Sequence, residues 1–494
     1  MVLLAVGVLV AEGAAAAYDQ QVHVFLSKRA YGGPKAIPAE VEAARAVQAL
    51  RERVWHAGAE SGDPEVKRRF LARYPSLNTF DAWEWKRFLG LNPDKQVAGL
   101  DATALPSGEN GAEVYGLASR LVDDDYRNRE RFRHDAQRKV VEGPYGQPLP
   151  DDPATLEMGG VTGLSSQAHA HYQLADVKFS DDPAVLKKDP RRFAIPPTVH
   201  TFGAEFAEVY TALAVLALSG PTPSERLALT HAGAVAHHVE DVANQIHTVQ
   251  VGVYDFFVDA KIESFKEELR SAGGLFRARP DFVSIGIDVI TNHHSLAEAL
   301  YEKHLLAPGD PVRQRTDDAP RDETFATELT RLPDGCTPGF GRAVTQALAD
   351  RSSFEGPEVY AAIRAVAEPR FSKVGNHFAS GDDPDGALRP GADLTAFYEL
   401  EARGARRSDQ ALAAWWQRYS ACRGAEPQVA AAFAAWLVKD RLDALDAVDA
   451  RVRAWVPKPP AKDMVNVWVP IGYALTVVLV GWIVRRVRRR RRRG

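Results

Sequence analysis

Residues 236–247 read AHHVEDVANQIH. His237 and Asp241 are four residues apart, so a helix over this stretch would place them on one face, where both could bind one metal cluster. His247 comes ten residues after His237, about 80° away around a straight helix, and a helix end near Gln245 would bring it back towards the cluster. Two imidazoles and one carboxylate suit zinc. The alternative is a buried polar face of a core helix, so the rest of the chain must decide.

The N-terminus has the pattern of a secretory signal peptide. It is apolar over residues 2–10 and Ala-rich up to Ala17. This apolar region is too short to span a bilayer, and small residues follow it. Ala15 and Ala17 fit the A-x-A cleavage pattern, although no Lys or Arg precedes the apolar region. We therefore expect residues 1–17 to be removed and the mature chain to begin at Tyr18.

The C-terminus has the pattern of a membrane anchor. Residues 464–484 carry no charge, and eight arginines follow within residues 485–493. About twenty such apolar residues span a bilayer, and an arginine run stays on the cytoplasmic side. We expect a transmembrane helix over 465–484 and a cytoplasmic tail over 485–494; a nucleic-acid-binding tail is the alternative. The expected product is a single-pass cell-membrane protein whose bulk is periplasmic or extracellular.

The net charge and the two cysteines limit which partners, folds and metal ligands the chain can have. The chain carries a net charge of −4; the tail contributes +8 and Glu12 contributes −1, which leaves −11 for the exported part. Nucleic acid is therefore an unfavourable non-specific partner. Cys336 and Cys422 are too few for a disulfide framework, but they could form one bridge in an oxidising compartment. A zinc site in this chain cannot depend on thiolates.

The hydrophobic pattern favours a mostly α protein, with no sustained two-residue period and no internal repeat. Beyond the opening stretch, Ser224-Glu225 after Pro223 predicts a helix start. The other helices are expected over residues 18–31, 39–55, 108–138, 201–218, 254–269 and 285–304, with loops over 143–153 and 307–322 and a stiff spacer at 457–460.

The spacing His237-x3-Asp241-x5-His247 resembles the helical core motif of the zinc-dependent phospholipase C and single-strand-specific nuclease superfamily. There the mature chain begins with a Trp whose amine and carbonyl bind zinc, and in the nuclease branch a His follows five residues later. Here His23 follows the expected mature start, Tyr18, by five residues. Tyr can replace Trp because the ligands are main-chain atoms. Cleavage site and core motif are independent features, so their agreement strengthens the resemblance.

The superfamily also has an acidic residue a short distance before a His that precedes an aromatic residue. His171 precedes Tyr172, and Glu157 lies fourteen residues before His171. The superfamily usually has Asp at that place, and Asp152 is the alternative. The resemblance therefore implies Glu157 and His171 as metal ligands.

After its core motif the superfamily has His-x3-Glu. His294 and Glu298 match that pattern, 47 residues after His247. Asp259 and Glu263 lie nearer to the core but lack the His. One departure concerns the local bend at His247, because the superfamily has Pro before the last core His and this chain has Gln245 there.

The resemblance covers about residues 18–31 and 157–300, and it implies up to three zinc ions. Asp241 would bridge two ions, one held also by Tyr18 and His23 and the other by Glu157, His171 and His237. The third would be held by His247, His294 and Glu298. A hydroxide held between metals would attack a phosphodiester. Four residues beside the ligands would either orient them or be ordinary polar surface: His169, His238, Glu240 and His293.

The expected organisation is a metal-binding domain over 18–304, with an insertion at about 34–150, followed by a helical region over 305–460. The resemblance implies a membrane-anchored phospholipase C that cleaves the head-group phosphodiester of lipids, favoured by the acidic exported part and the anchor. An extracellular nuclease is the second hypothesis. The third is a non-catalytic anchored binding protein with a degraded site, which the unusual Glu157 and Gln245 would favour.

Overall fold

The computed structural model describes residues 20–37, 43–91, 97–126, 133–134, 140–142, 173, 203–248, 282–333, 335–372, 378, 382–424 and 426–455. Within them the chain forms fourteen α-helices and one two-stranded β-hairpin, which confirms the mostly α class. No helix in these ranges is long and apolar enough to cross a bilayer. The expected signal peptide, transmembrane helix and Arg-rich tail lie outside the described residues, as does the expected helix over 254–269.

The first seven helices are α1 (Gln20–Ala30), α2 (Ala43–Ala59), α3 (Pro64–Arg73), α4 (Ala82–Leu89), α5 (Gly111–Tyr126), α6 (Gly203–Ala217) and α7 (Glu225–Ala243). The second seven are α8 (Phe282–Leu306), α9 (Pro311–Asp317), α10 (Glu323–Thr330), α11 (Phe340–Ser352), α12 (Gly356–Val366), α13 (Thr395–Cys422) and α14 (Pro427–Trp455). A short 3₁₀ turn over Gln245–His247 follows α7 almost directly.

Two local expectations are wrong. Helix α5 begins at Gly111, three residues after the expected start, because Asn110 and Glu113 cap it reciprocally. The range predicted as one helix over 108–138, however, contains strand β1 (Arg133–His134), which pairs antiparallel with β2 (Val140–Glu142), where two β-branched valines favour extended backbone. The range 307–322, predicted as a loop, contains α9. The sequence signal for this helix is Asp310 followed by Pro311. The Asp310 side chain accepts a hydrogen bond from the Val312 N–H, and Pro311 occupies the first helical position.

Helix α7 lies at the centre of the molecule. Ser224 caps its first turn by accepting from the Leu227 N–H at 3.1 Å, and every residue from Leu227 to Ala243 is buried. It packs against α5, α6, α1, α11 and α13. At Gly233 the backbone of α5 comes so close that an added Cβ would lie 2.4 Å from the Tyr115 carbonyl oxygen. The lack of a side chain at Gly233 thus lets α5 pack closely against α7.

The buried apolar side chains form two clusters. The larger cluster contains residues of α2, α6 and α7 together with residues of α11, α13 and α14. The second contains Val22 and Leu26 of α1, Leu296 and Leu300 of α8, and residues of α12 and α13. Residues of the expected C-terminal region, 305–460, therefore contribute to both clusters. Helix α7 contributes to the larger cluster and α1 and α8 to the second, and α1 contacts both α7 and α8.

Two long-range links hold the region at the start of α11, one to α6 and one to the end of α13. The buried Glu208 of α6 accepts backbone N–H groups from Gly339, Gly341 and Arg342 at the start of α11, where a carboxylate is favoured by the helix dipole. Burial raises the pKa of Glu208 to about 7, although these three N–H groups oppose the shift. Cys336 and Cys422, the two cysteines of the chain, form a disulfide. The single bridge that the sequence allowed is therefore present.

Candidate metal centre

The first candidate group joins α1 to α7. His23, His237 and Asp241 are fully buried, and their ligand atoms all lie within 4.8 Å of one another. His237 Nε2 lies 3.1 Å from Asp241 Oδ2, and His23 Nε2 lies 3.3 Å from Asp241 Oδ1. The helix expected through His237 and Asp241 is present and places both residues on one face. Each oxygen of Asp241 faces a different imidazole, as a carboxylate between two cations would.

The orientation of His23 is set by its second ring nitrogen. Nδ1 donates to Glu240 Oε2 at 2.7 Å, and Ser27 Oγ donates to Glu240 Oε1 at 2.6 Å. A carboxylate on the far nitrogen is the usual partner of a metal-ligating histidine, since it directs the other nitrogen towards the ion. Burial would lower the pKa of His23, but its hydrogen bonds to Asp241 and Glu240 hold that pKa well above the ordinary value. Burial raises the pKa of Glu240 to about 7.

The second candidate group joins the 3₁₀ turn to α8. His294 Nε2 lies 2.7 Å from Glu298 Oε1, and His247 Nε2 lies 3.3 Å from the same oxygen. The two imidazole rings stack with centroids 4.9 Å apart, and their Nε2 atoms are 3.1 Å from each other. Two nitrogens at about 2.0–2.1 Å from a tetrahedral zinc would be about 3.3 Å apart, so the observed separation is close to what the ion requires.

In the second group the pKa values of His247 and Glu298 are both lowered, for different reasons. Burial lowers the pKa of His247, which keeps its imidazole neutral and able to bind a cation. Burial would raise the pKa of Glu298, but His294 and His247 outweigh it and hold that pKa below the ordinary value. An anionic carboxylate between two imidazoles results, which is the donor set of many zinc sites. Both groups therefore fit zinc by their chemistry and by the convergence of their ligand atoms.

The end of α7 separates the two groups. Asn244 leaves the helix with an extended backbone, and its side chain accepts from the Ile246 N–H at 3.3 Å. The turn that follows directs His247 towards α8, where it joins His294 and Glu298. His247 does not join His237 and Asp241 in one group, as the opening stretch alone suggested. The superfamily resemblance likewise implies a separate site for His247, His294 and Glu298.

Three residues interpreted either as ligand-orienting or as polar surface are buried, so the surface interpretation is wrong for them. Glu240 orients His23. The His238 ring stacks with Phe206 and with Tyr210, with ring centroids 5.8 Å apart in each pair. His293 packs edge-on against Tyr360, and burial, assisted by Arg364, lowers its pKa to about 4.

The remaining expected ligands, Tyr18, Glu157 and His171, lie outside the described residues. The alternatives Asp152, Asp259 and Glu263 and the neighbouring His169 also lie outside them.

Sequence reasoning missed Ser27, whose hydroxyl donates a hydrogen bond to Glu240. Its signal was its position four residues after His23 on one helix face.

In comparisons with known proteins, no protein-family model, no curated protein and no solved structure matches the chain. The link to the zinc-dependent phospholipase C and nuclease superfamily is therefore a resemblance of sequence motifs alone.

Proposed function

We propose that the protein is a zinc-dependent phosphodiester hydrolase of the phospholipase C type, anchored to the membrane with its bulk outside the cytoplasm. One observation carries the proposal. Six residues singled out by spacing, from three separate parts of the chain, form two buried groups of two histidines and one carboxylate each. A core helix does not need two such groups for its stability, because burying so many ionisable side chains is costly without a cation.

His23, His237 and Asp241 would hold ions in the first group, with Tyr18, Glu157 and His171 as proposed further ligands. His247, His294 and Glu298 would hold an ion in the second group. When bound, zinc lowers the pKa of water towards 7 and stabilises the negative charge of a phosphodiester under attack. The chain's own part is to hold the imidazole and carboxylate groups in place, with Glu240 orienting His23 for that purpose.

The proposed location rests on two features. Disulfides persist in oxidising compartments and are rare in the cytosol, and the bond between Cys336 and Cys422 agrees with export. The apolar stretch at 465–484 and the arginines after it supply the proposed anchor. A phospholipid head group would then lie in the surface to which the enzyme is tethered.

An extracellular zinc nuclease is the second candidate. It is favoured by the five-residue spacing between Tyr18 and His23, which is that of the nuclease branch. The acidic exported part disfavours it, because such a surface repels a polyanion.

The test uses the full-length protein, purified in detergent without chelator. We expect two to three zinc equivalents by elemental analysis, and hydrolysis of phosphatidylcholine with much slower or no cleavage of single-stranded DNA. Asp241→Asn should lose zinc and at least a hundredfold in rate, while Asp383→Asn at an exposed position should behave as wild type. Protein without zinc would refute the metal site. Zinc-loaded protein that cleaves neither substrate would instead favour a binding protein.

A further inference from the structure

We propose that Gln245, Glu355 and Arg407 are positioning residues of the second metal group, and that the C-terminal helical region is therefore an integral part of the metal centre. The proposal rests on the proposed function only in that the group of His247, His294 and Glu298 binds a metal ion. It assigns a role to residues 305–460, for which the superfamily resemblance offers no counterpart.

The first step concerns the turn itself. His247 lies two residues after Gln245 in the 3₁₀ turn, and Thr248 closes the turn by donating its N–H and its hydroxyl to the Gln245 carbonyl at 3.2 and 2.9 Å. Gln245 is fully buried, and its side-chain Nε2 donates to the Leu400 carbonyl of α13 at 2.7 Å. The position of Gln245 thus sets the direction in which His247 leaves the turn.

The second step concerns what holds Gln245. Its Nε2 also lies 3.3 Å from Glu355 Oε2, at the start of α12. Arg407 of α13 binds both oxygens of Glu355, at 2.8 and 2.7 Å, and its Nε donates to Asp322 Oδ2 at 2.9 Å. Paired bonds between an arginine and a carboxylate define both distance and angle. The glutamine therefore contacts a carboxylate that is itself held in place.

The third step is the close approach of the two helices. Gly404 of α13 faces the end of α7, where an added Cβ would lie 2.7 Å from the Ala243 carbonyl oxygen and 3.1 Å from Gln245 Nε2. The absence of a side chain at Gly404 lets α13 lie directly against the turn. Without this contact Leu400 could not accept a bond from Gln245.

The fourth step is the physical need for this network. A proline at the place of Gln245, as in the superfamily, would restrict the backbone of the turn covalently. A glutamine leaves that backbone free, so the turn must be held by bonds from outside. Positions that orient metal ligands typically change metal affinity by ten- to a hundredfold when they are mutated. We expect that effect at the second group alone, because the first group is built from α1 and α7 upstream of the turn.

The experiment compares zinc binding by the full-length wild type, Gln245→Met and Gln410→Met. Methionine is of similar length to glutamine but cannot donate to Leu400 or Glu355. Gln410 is the matched control: this glutamine of α13 also bonds the network, but its side chain bonds the backbone of Asp322 and not the turn. Glu355→Gln serves as a second variant. Circular dichroism melting identifies the variants that retain the fold.

We expect Gln245→Met and Glu355→Gln to bind one zinc equivalent about ten- to a hundredfold more weakly and the other equivalents as the wild type does. Combining Gln245→Met with His294→Ala should cause no further loss of zinc, because both act on one ion, whereas combining it with His23→Ala should. Folded Gln245→Met with unchanged zinc affinity, or with equal weakening at every site, would overturn the positioning role while leaving the proposed metal centre intact. A wild type that binds no zinc would overturn both.

Discussion

Four buried side chains form a line at the first candidate group, from Ser27 through Glu240 and His23 to Asp241. Each contact is a hydrogen bond or ion pair of 2.6 to 3.3 Å. These contacts fix the orientation of the His23 ring, because rotating the ring would break its hydrogen bond to Glu240. The residue that would bind the ion, His23, and the residue that aims it, Glu240, are thus separate.

This arrangement predicts a graded effect on zinc affinity. Glu240→Gln keeps the shape and one acceptor but loses the charge, and we expect about a tenfold weaker zinc at the first group. Ser27→Ala should weaken it less, because Glu240 keeps its bond to His23. Zinc affinity can be measured by competition with a chromogenic chelator, with Glu399→Gln at an exposed position of α13 as the control. If Ser27→Ala weakened zinc more than Glu240→Gln, the assigned order of contacts would be incorrect.

At the scale of elements, the position of α7 depends on its small residues. An added Cβ at Gly233 would lie 2.4 Å from the Tyr115 carbonyl oxygen and 2.6 Å from Ala118 Cβ, both in α5. We expect Gly233→Ala to lower the free energy of unfolding by roughly 1–2 kcal/mol, since overpacking outweighs the gain of about 1 kcal/mol in helix propensity.

Gly62→Ala is the matched control for this prediction. No atom lies within 4 Å of an added Cβ there, so we expect a change of at most about 0.5 kcal/mol. Urea denaturation followed by circular dichroism measures both variants. Equal stability of the two would mean that α5 can move away from α7 without cost.

A second link between elements depends on pH. Asp322 binds Arg351 of α11 and Arg407 of α13 and caps α10. Burial would raise the pKa of Asp322, but Arg351, the Phe325 N–H and Arg407 outweigh it and hold that pKa at about 2. The folded protein therefore binds this proton less tightly than the unfolded chain does, so the stabilisation is present above about pH 4 and is lost as the pH falls through about 2.

We accordingly expect Asp322→Asn to lower the free energy of unfolding by about 1–2 kcal/mol at pH 7, with a difference that shrinks as the pH approaches 2. Urea denaturation at pH 7, 4 and 2.5 tests this, with the exposed Asp318→Asn as the control. A difference that stayed constant between pH 7 and 2.5 would show that the charge of Asp322 is not what joins these helices.

At the scale of the whole molecule, one covalent link restricts the C-terminal region. The disulfide joins Cys336, before α11, to Cys422 at the end of α13, across 86 residues. Closing so long a loop lowers the entropy of the unfolded chain, so we expect Cys336→Ser/Cys422→Ser to lower the free energy of unfolding by about 2–4 kcal/mol. Thermal denaturation of wild type with and without reductant provides the comparison. If reduction left the melting temperature unchanged, the bond would not contribute to stability.

Much of the candidate site could be predicted from the sequence. Once the stretch around His237 is helical, its pairing with Asp241 follows from their four-residue spacing, which is a local property of the backbone. His23, His247, His294 and Glu298 were identified by motif, and the structure brings all four into the two groups. The helix start at Ser224 was recognisable for the same local reason, since a capping hydroxyl acts within three residues.

Other features depended on contacts between residues far apart in the chain. The sequence left open whether His247 would return to Asp241 or join another group, because the direction of a turn depends on what holds it. Leu400, Glu355 and Arg407, which hold that turn, are more than a hundred residues away from Gln245. The orienting role of Glu240 needed α1 to pack against α7. Spacing along one helix therefore determined which residues share a face, whereas only packing between helices decided which faces meet.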